Sequence, residues 1–241
     1  MLPQIETPIY ELTLPSTNQN IQYRPFLIKE EKILLMAQEG EDAEETIRAV
    51  KQIISNCILS PINVDKMATF DNEYLFVNIR AKSVGKILQL NYKHDCTHEM
   101  PAGETKPVDI RFDINLDNVV IENSKDHTNT IPITDTIGLI MRYPDFKLMS
   151  DIGTMTNFDD VMDVVTQCIE TIYDGEEVHD VSDYSTDQLV EFLESLTNEQ
   201  FERINNFFET MPTTVTDAEV KCRNCGWSTN FQLRGITDFF V

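Results

Sequence analysis

Between Leu148 and Glu202 the chain has no lysine and no arginine, while fifteen aspartates and glutamates fall in the same window. That gap accounts for much of a formal net charge of -22. A field of this sign repels phosphate backbones and anionic lipid, so nucleic acid and membrane surfaces are set aside as partners. What remains is a solvated acidic face or a surface complementary to a basic protein. Cysteine is scarce as well: five in 241 residues, an odd number that argues against a disulfide framework and fits a reducing compartment. Long apolar runs are missing. Stretches such as Ile33-Leu34-Leu35-Met36-Ala37 fall well below the roughly 18 residues of a spanning helix. The start, "MLPQIETP", lacks a basic region followed by an apolar one, so the expectation is a soluble intracellular protein without a signal peptide. There is no Gly-rich phosphate loop, no GxSxG elbow and no HExxH, and the expectation is a protein that is not an enzyme. Gly175-Glu176-Glu177 beside His179, and His127 in the polar stretch "NSKDHTN", read as solvated polar groups with no catalytic role.

What is present is enough for a core, with hydrophobic residues at 41% in one large domain or two small ones. The opening "IYELTLPSTNQNIQYRPF" alternates apolar and polar residues around a Pro-Ser-Thr-Asn turn, the pattern of a β-hairpin. Helices follow over Ile28 to Gln38 and in "DAEETIRAVKQIISNCI", where Ile47, Val50, Ile54 and Cys57 recur at steps of three and four and Asp42 with Glu45 forms a capping box. "VDKMATFDNEYLFVNIRAKSVG" reads as a further helix stopped at Gly85. From Lys86 the period changes to two. Leu88, Leu90 and Tyr92 share one face of "KILQLNYKHDC", and Val108, Ile110, Phe112, Ile114 and Leu116 share one face of the next segment. Together they make a hairpin with Cys96 at its tip.

Farther on, "TDTIGLIMRY" is expected to be helical up to Pro144, and Phe158 to Tyr173 to be one amphipathic helix with Val161, Val164 or Val165, Cys168 and Ile172 inward. "YDGEEVHDVSDY" reads as a loop. Ser185 with Gln188 and Thr197 with Gln200 mark the starts of two short helices by capping boxes. Strand-like alternation returns on both sides of "VKCRNCGW".

That last stretch has the form of a zinc knuckle. A tight turn aims the thiolates of Cys222 and Cys225 at one metal, and Gly226 permits the backbone angle the turn needs. A tetrahedral site requires two more donors. The candidates near a second hairpin tip lie in "KHDCTHEM": Cys96 with a neighbouring histidine, His98 or alternatively His94. The expected set is Cys96, His98, Cys222 and Cys225 around a structural Zn2+ that ties the middle hairpin to the C-terminal one. A redox pair fits less well, because a thioredoxin-like CxxC opens a helix and here "GWSTNFQL" leads into a strand.

Taken in order, "TPIYELTLPSTNQNIQYRPFLIKEEKILLMAQE", "VKQIISNCI", "FDNEYLFVNIRAKSVG", "YDGEEV", "LVEFLESLTNEQFERINNFFETMP" and "CRNCGWSTNFQLRGITDFF" resemble the baseplate hub protein family of T-even-type contractile-tailed phages. The resemblance spans nearly the whole chain, and its first and last blocks are the most specific. It implies a non-enzymatic tail morphogenesis protein, present in the host cytoplasm during assembly. Such a protein is either a hub subunit retained in the virion baseplate or an assembly chaperone for other hub or tape-measure proteins. Family members commonly carry a Cys pair in both hairpins, and this chain departs from that with "HDCTHEM" in the first.

The expected architecture is α+β: an N-terminal hairpin and helices over 1–85, a middle β section over 86–134, and an acidic helical section over 135–241 closed by a zinc-ribbon-like hairpin, together one compact unit. Phe207, Phe208, Phe239 and Phe240 are the aromatics to watch, doubled phenylalanines being more often core than interface. The rival reading is a zinc-ribbon adaptor of transcription or nucleic-acid machinery, which the negative charge opposes.

Overall fold

The N-terminal alternation closes as the expected hairpin in the computed structural model, which describes residues 5–39, 43–146, 148 and 158–239. Strand β1 (Tyr10–Thr13) pairs antiparallel with β2 (Asn20–Tyr23), and Leu14, Ile21 and Tyr23 are buried beneath it. Helices α1 (Ile28–Glu39) and α2 (Ala43–Cys57) follow. The three-and-four spacing on α2 puts Val50, Ile53, Ile54 and Cys57 fully inside. The expected capping residue Asp42 lies outside the described residues. At the start of α1, Glu30 accepts the Leu27 amide at 2.8 Å and the Arg24 guanidinium at 3.1 Å. Burial pushes its carboxyl up, but the hydrogen bonds from Arg24 and Leu27 outweigh that and hold it below the ordinary glutamate value. Helix α3 (Thr69–Ser83) ends two residues before Gly85, whose φ of 113° only glycine adopts readily.

The chain divides into two compact units, one made of Met1–Ile62, Glu73–Ile121 and Thr213–Val241, the other of Asn63–Asn72 and Glu122–Pro212. In the first unit the period-two segments form β3 (Ile87–Cys96) and β4 (Lys106–Asn115), paired antiparallel with Leu88 opposite Ile114 and Cys96 opposite Lys106. Strand β5 (Val120–Glu122) joins β10 (Thr213–Lys221) and β11 (Ser228–Arg234) in a second sheet of order β11-β10-β5. The even-numbered faces of β3 and β4 meet Val77, Leu116, Val119, Leu233 and Phe239 in one apolar cluster. A smaller cluster of Cys96, Ile110, Val220 and Cys222 lies farther along the same strands.

The second unit is a four-stranded sheet of order β6-β7-β8-β9. Its strands are β6 (Thr130–Pro132), β7 (Ile137–Met141), β8 (Ile169–Asp174) and β9 (Glu177–Asp180). Helix α4 (Phe158–Cys168) precedes β8, and α5 (Thr186–Glu194) and α6 (Asn198–Thr210) follow β9. Three sequence expectations fail here. "IGLIM", within "TDTIGLIMRY", is a strand and not a helix: as an interior strand it is apolar on both faces, and such a run cannot be told from a buried helix by periodicity. The helix from Phe158 stops at Cys168, and "IETIYD" becomes β8, because Ile169, Thr171, Ile172 and Tyr173 are strand formers with a ladder waiting on β7. The stretch expected to be a loop is the β8–β9 hairpin, turning at Gly175 with φ 61°. Both capping boxes are present, Ser185 with Gln188 and Thr197 with Gln200.

Leu139, Met141, Met162, Val165, Cys168, Ile169, Leu193, Ile204 and Phe207 build this unit's core. Gly138 is forced by packing and not by backbone angle. A Cβ there would run into the Tyr173 phenol opposite it on β8 and stand 2.8 Å from the Ile131 carbonyl. Gly138→Ala is expected to cost about 1–3 kcal/mol by overpacking, read as a lower urea midpoint at unchanged slope. His127 is held between two hydroxyls. Thr210 spends its own hydrogen on the Asn206 carbonyl (2.6 Å), so it accepts from Nδ1 at 3.0 Å, which leaves Nε2 to accept the Tyr143 hydroxyl at 2.9 Å. Burial lowers the pKa of this imidazole below its ordinary value. Among the described residues no helix is long and apolar enough to cross a membrane.

Candidate metal centre

Strand alternation decides which side chains reach the centre. On β3 the inward face runs Leu88, Leu90, Tyr92, His94, Cys96, so His94 and Cys96, two residues apart, point the same way. β10 brings Val220 inward and hands over to Cys222, which is buried. There the chain turns: the Cys222 amide donates to the Trp227 carbonyl at 2.7 Å and the Gly226 amide to the Cys222 carbonyl at 3.0 Å, with Gly226 at φ 76°. This loop aims two backbone amides, those of Cys225 and Asn224, at the Cys222 sulfur.

The result is a group of four donors, His94, Cys96, Cys222 and Cys225, whose ligand atoms all lie within 4.8 Å of one another. Cys96 and Cys222, 126 positions apart, bring their sulfurs to 3.8 Å, and His94 Nε2 is 3.2 Å from the Cys225 sulfur. A tetrahedral ion with metal–sulfur bonds of about 2.3 Å places its sulfurs about 3.8 Å apart, so this group could hold a metal ion. The Cys225 amide, helped by that of Asn224, draws the Cys222 thiol below its ordinary pKa. At Cys96 the His98 amide acts in the same direction, but burial and the two neighbouring cysteines outweigh it and push the thiol up. An ion would reverse that, since a coordinating thiol is deprotonated outright.

Of the four residues expected from sequence, the structure brings Cys96, Cys222 and Cys225 together and leaves the His98 ring out. Strand β3 ends at Cys96, and His98 falls in the turn beyond it. Its main-chain amide donates to the Cys96 sulfur at 3.4 Å, and its ring points to Glu99 at 3.6 Å. His94, the alternative, is the histidine in place. Sequence reasoning missed Trp227. Its ring stacks on His94 with centroids 4.3 Å apart and on Tyr92 at 5.6 Å, roofing the imidazole and fixing its plane. The remaining cysteines, Cys57 and Cys168, are core thiols pushed up to about 11 and about 12 by burial. Phe207 and Phe239 are buried, Phe208 is half-buried and Phe240 lies outside the described residues.

The sequence model of a family described as T4 bacteriophage base plate protein matches residues 7–241. The chain belongs to this family. The base plate protein match runs through both hairpin tips, so the centre lies inside the part of the chain that the family shares. Over 232 residues the chain is 25% identical to the baseplate hub assembly protein gp26 of enterobacteria phage T4, covering 96% of this chain and 97% of that protein. No solved structure matches.

Proposed function

We propose that this base plate protein acts in assembly of the central hub of a contractile phage tail, through contacts with other hub or tape-measure proteins and without catalysis. The observation that carries the reading is the end-to-end match to a hub assembly protein, at 96% and 97% coverage of the two chains. It acts in the host cytoplasm during assembly. The centre holds structural zinc through His94, Cys96, Cys222 and Cys225: three sulfurs and one imidazole are a closed Cys3His set, with no coordination position left for water or substrate. The acidic second unit, with 22 of the 41 acidic residues and five of the 19 basic ones, suits contact with basic proteins and opposes nucleic acid.

A phage carrying a null allele of this gene tests the reading. The expected result is loss of plaques, with hub complexes missing from gradient-separated assembly intermediates and restored by the gene supplied in trans. Normal hubs in the null phage would overturn it. Mass spectrometry of purified virions then separates a retained subunit from a transient chaperone.

A further inference from the structure

The second unit contains a groove that neither the metal centre nor the core accounts for. It has a volume of about 380 Å³ and lies where β7 and β8 meet α5, floored by Ile137, Ile172, Leu189 and Phe192. One wall is His179 and Tyr184, tied by a 2.9 Å hydrogen bond between Nδ1 and the phenol. Asp174 and Glu191 stand on the rim, and no cation lines it. Of the floor residues only Leu189 is buried, so apolar surface stays open to water, and Tyr184 in the wall is 40% exposed.

We propose that this groove is the docking site for a basic segment of a partner protein, one that inserts an aliphatic or aromatic anchor between flanking lysines or arginines. The inference rests on the hub-assembly reading and names the chemistry of the partner. Burying the floor under an apolar anchor is favourable only if the rim carboxylates are not stranded. Asp174 and Glu191 therefore require cations from the occupant, because Leu148 to Glu202 supplies none. The same charge disfavours a second copy of this chain, which would set one acidic face against another, and selects a basic partner over a neutral one.

The test uses full-length protein and, as probe, a short fluorescent peptide of leucines flanked by lysines. Saturable binding is expected, with methyl shifts at Ile137, Ile172 and Leu189 by NMR. Reversing both rim charges, Asp174→Lys with Glu191→Lys, is expected to weaken binding at least about tenfold, roughly 1.4 kcal/mol. A peptide with its leucines replaced by serine is expected to bind more weakly by a similar factor. Both rim residues are exposed, so the double variant is not compromised in folding. Equal binding by the serine peptide, or by the rim variant, would show diffuse charge attraction and overturn the groove. In infected cells a photo-crosslinker replacing Tyr184, which lines the groove, is expected to capture peptides with lysine or arginine around an apolar residue. Capture only of acidic segments or of a second copy would overturn the proposal. If the rim variant builds normal hubs while the null phage does not, the groove fails and the assembly reading stands. If the null phage builds normal hubs, the assembly reading fails, and peptide binding alone decides the groove.

Discussion

Replacing Cys222 with serine is expected to remove about one zinc per chain and to lower the unfolding midpoint by roughly 10–15 °C. The size follows from what the centre joins. Cys96 and Cys222 are 126 positions apart yet have sulfurs in contact at 3.8 Å. An ion there closes a long loop that two hairpin tips otherwise hold only by a small apolar cluster. Structural zinc sites contribute on the order of 10 kcal/mol of apparent binding energy, and removing one thiolate forfeits part of that. Even about 4 kcal/mol amounts to roughly 10–15 °C in a chain of this size. Elemental analysis and calorimetry measure both quantities. His94→Ala is expected to behave like Cys222→Ser, whereas His98→Ala keeps its zinc and its midpoint, since that ring faces Glu99. Trp227, the single tryptophan, reports the event optically: stacked on His94, its emission shifts when a chelator removes the ion. A metal-free wild-type protein of unchanged midpoint and emission would refute the zinc reading.

How far the sequence carried this centre depends on the range of the interactions involved. Period-two alternation in "KILQLNYKHDC" is local, and it places His94 and Cys96 on one face as soon as the strand is recognised. His98 lies past the strand end, and element boundaries are where sequence patterns are weakest. The capping boxes at Ser185 and Thr197 were readable because each is completed within four residues. "IGLIM" and "IETIYD" were not, because their state is decided by each other: Ile137 opposite Asp174 and Leu139 opposite Ile172 are ladder partners more than 30 positions apart. The C-terminal phenylalanines follow the same logic. Adjacent Phe207 and Phe208 on one helix cannot both sit at the centre of its apolar face, and the sequence does not say which one does.

The structure decides that question, and the second large effect rests on it. Phe207→Ala is expected to destabilise the protein by about 3–5 kcal/mol, and Phe208→Ala by distinctly less. Phe207 is 1% exposed, with its ring 5.6 Å from Tyr143, 5.2 Å from His127 and 5.1 Å from Phe208, so truncation leaves a void with aromatic walls on several sides. Phe208 is half-buried at the margin of the same cluster, where solvent fills what the ring vacates. Urea unfolding of the two variants gives the comparison, and equal losses would contradict the packing described. A titration probes the same cavity independently. Burial holds His127 below the ordinary imidazole value, and the Phe207 ring is part of what buries it. Admitting water through the void should therefore raise its pKa toward about 6.5, while the Thr210 and Tyr143 hydroxyls stay in place. Following the His127 ring protons by NMR across that range separates a wetted cavity, which moves the midpoint upward, from a collapsed one, which leaves it where burial put it.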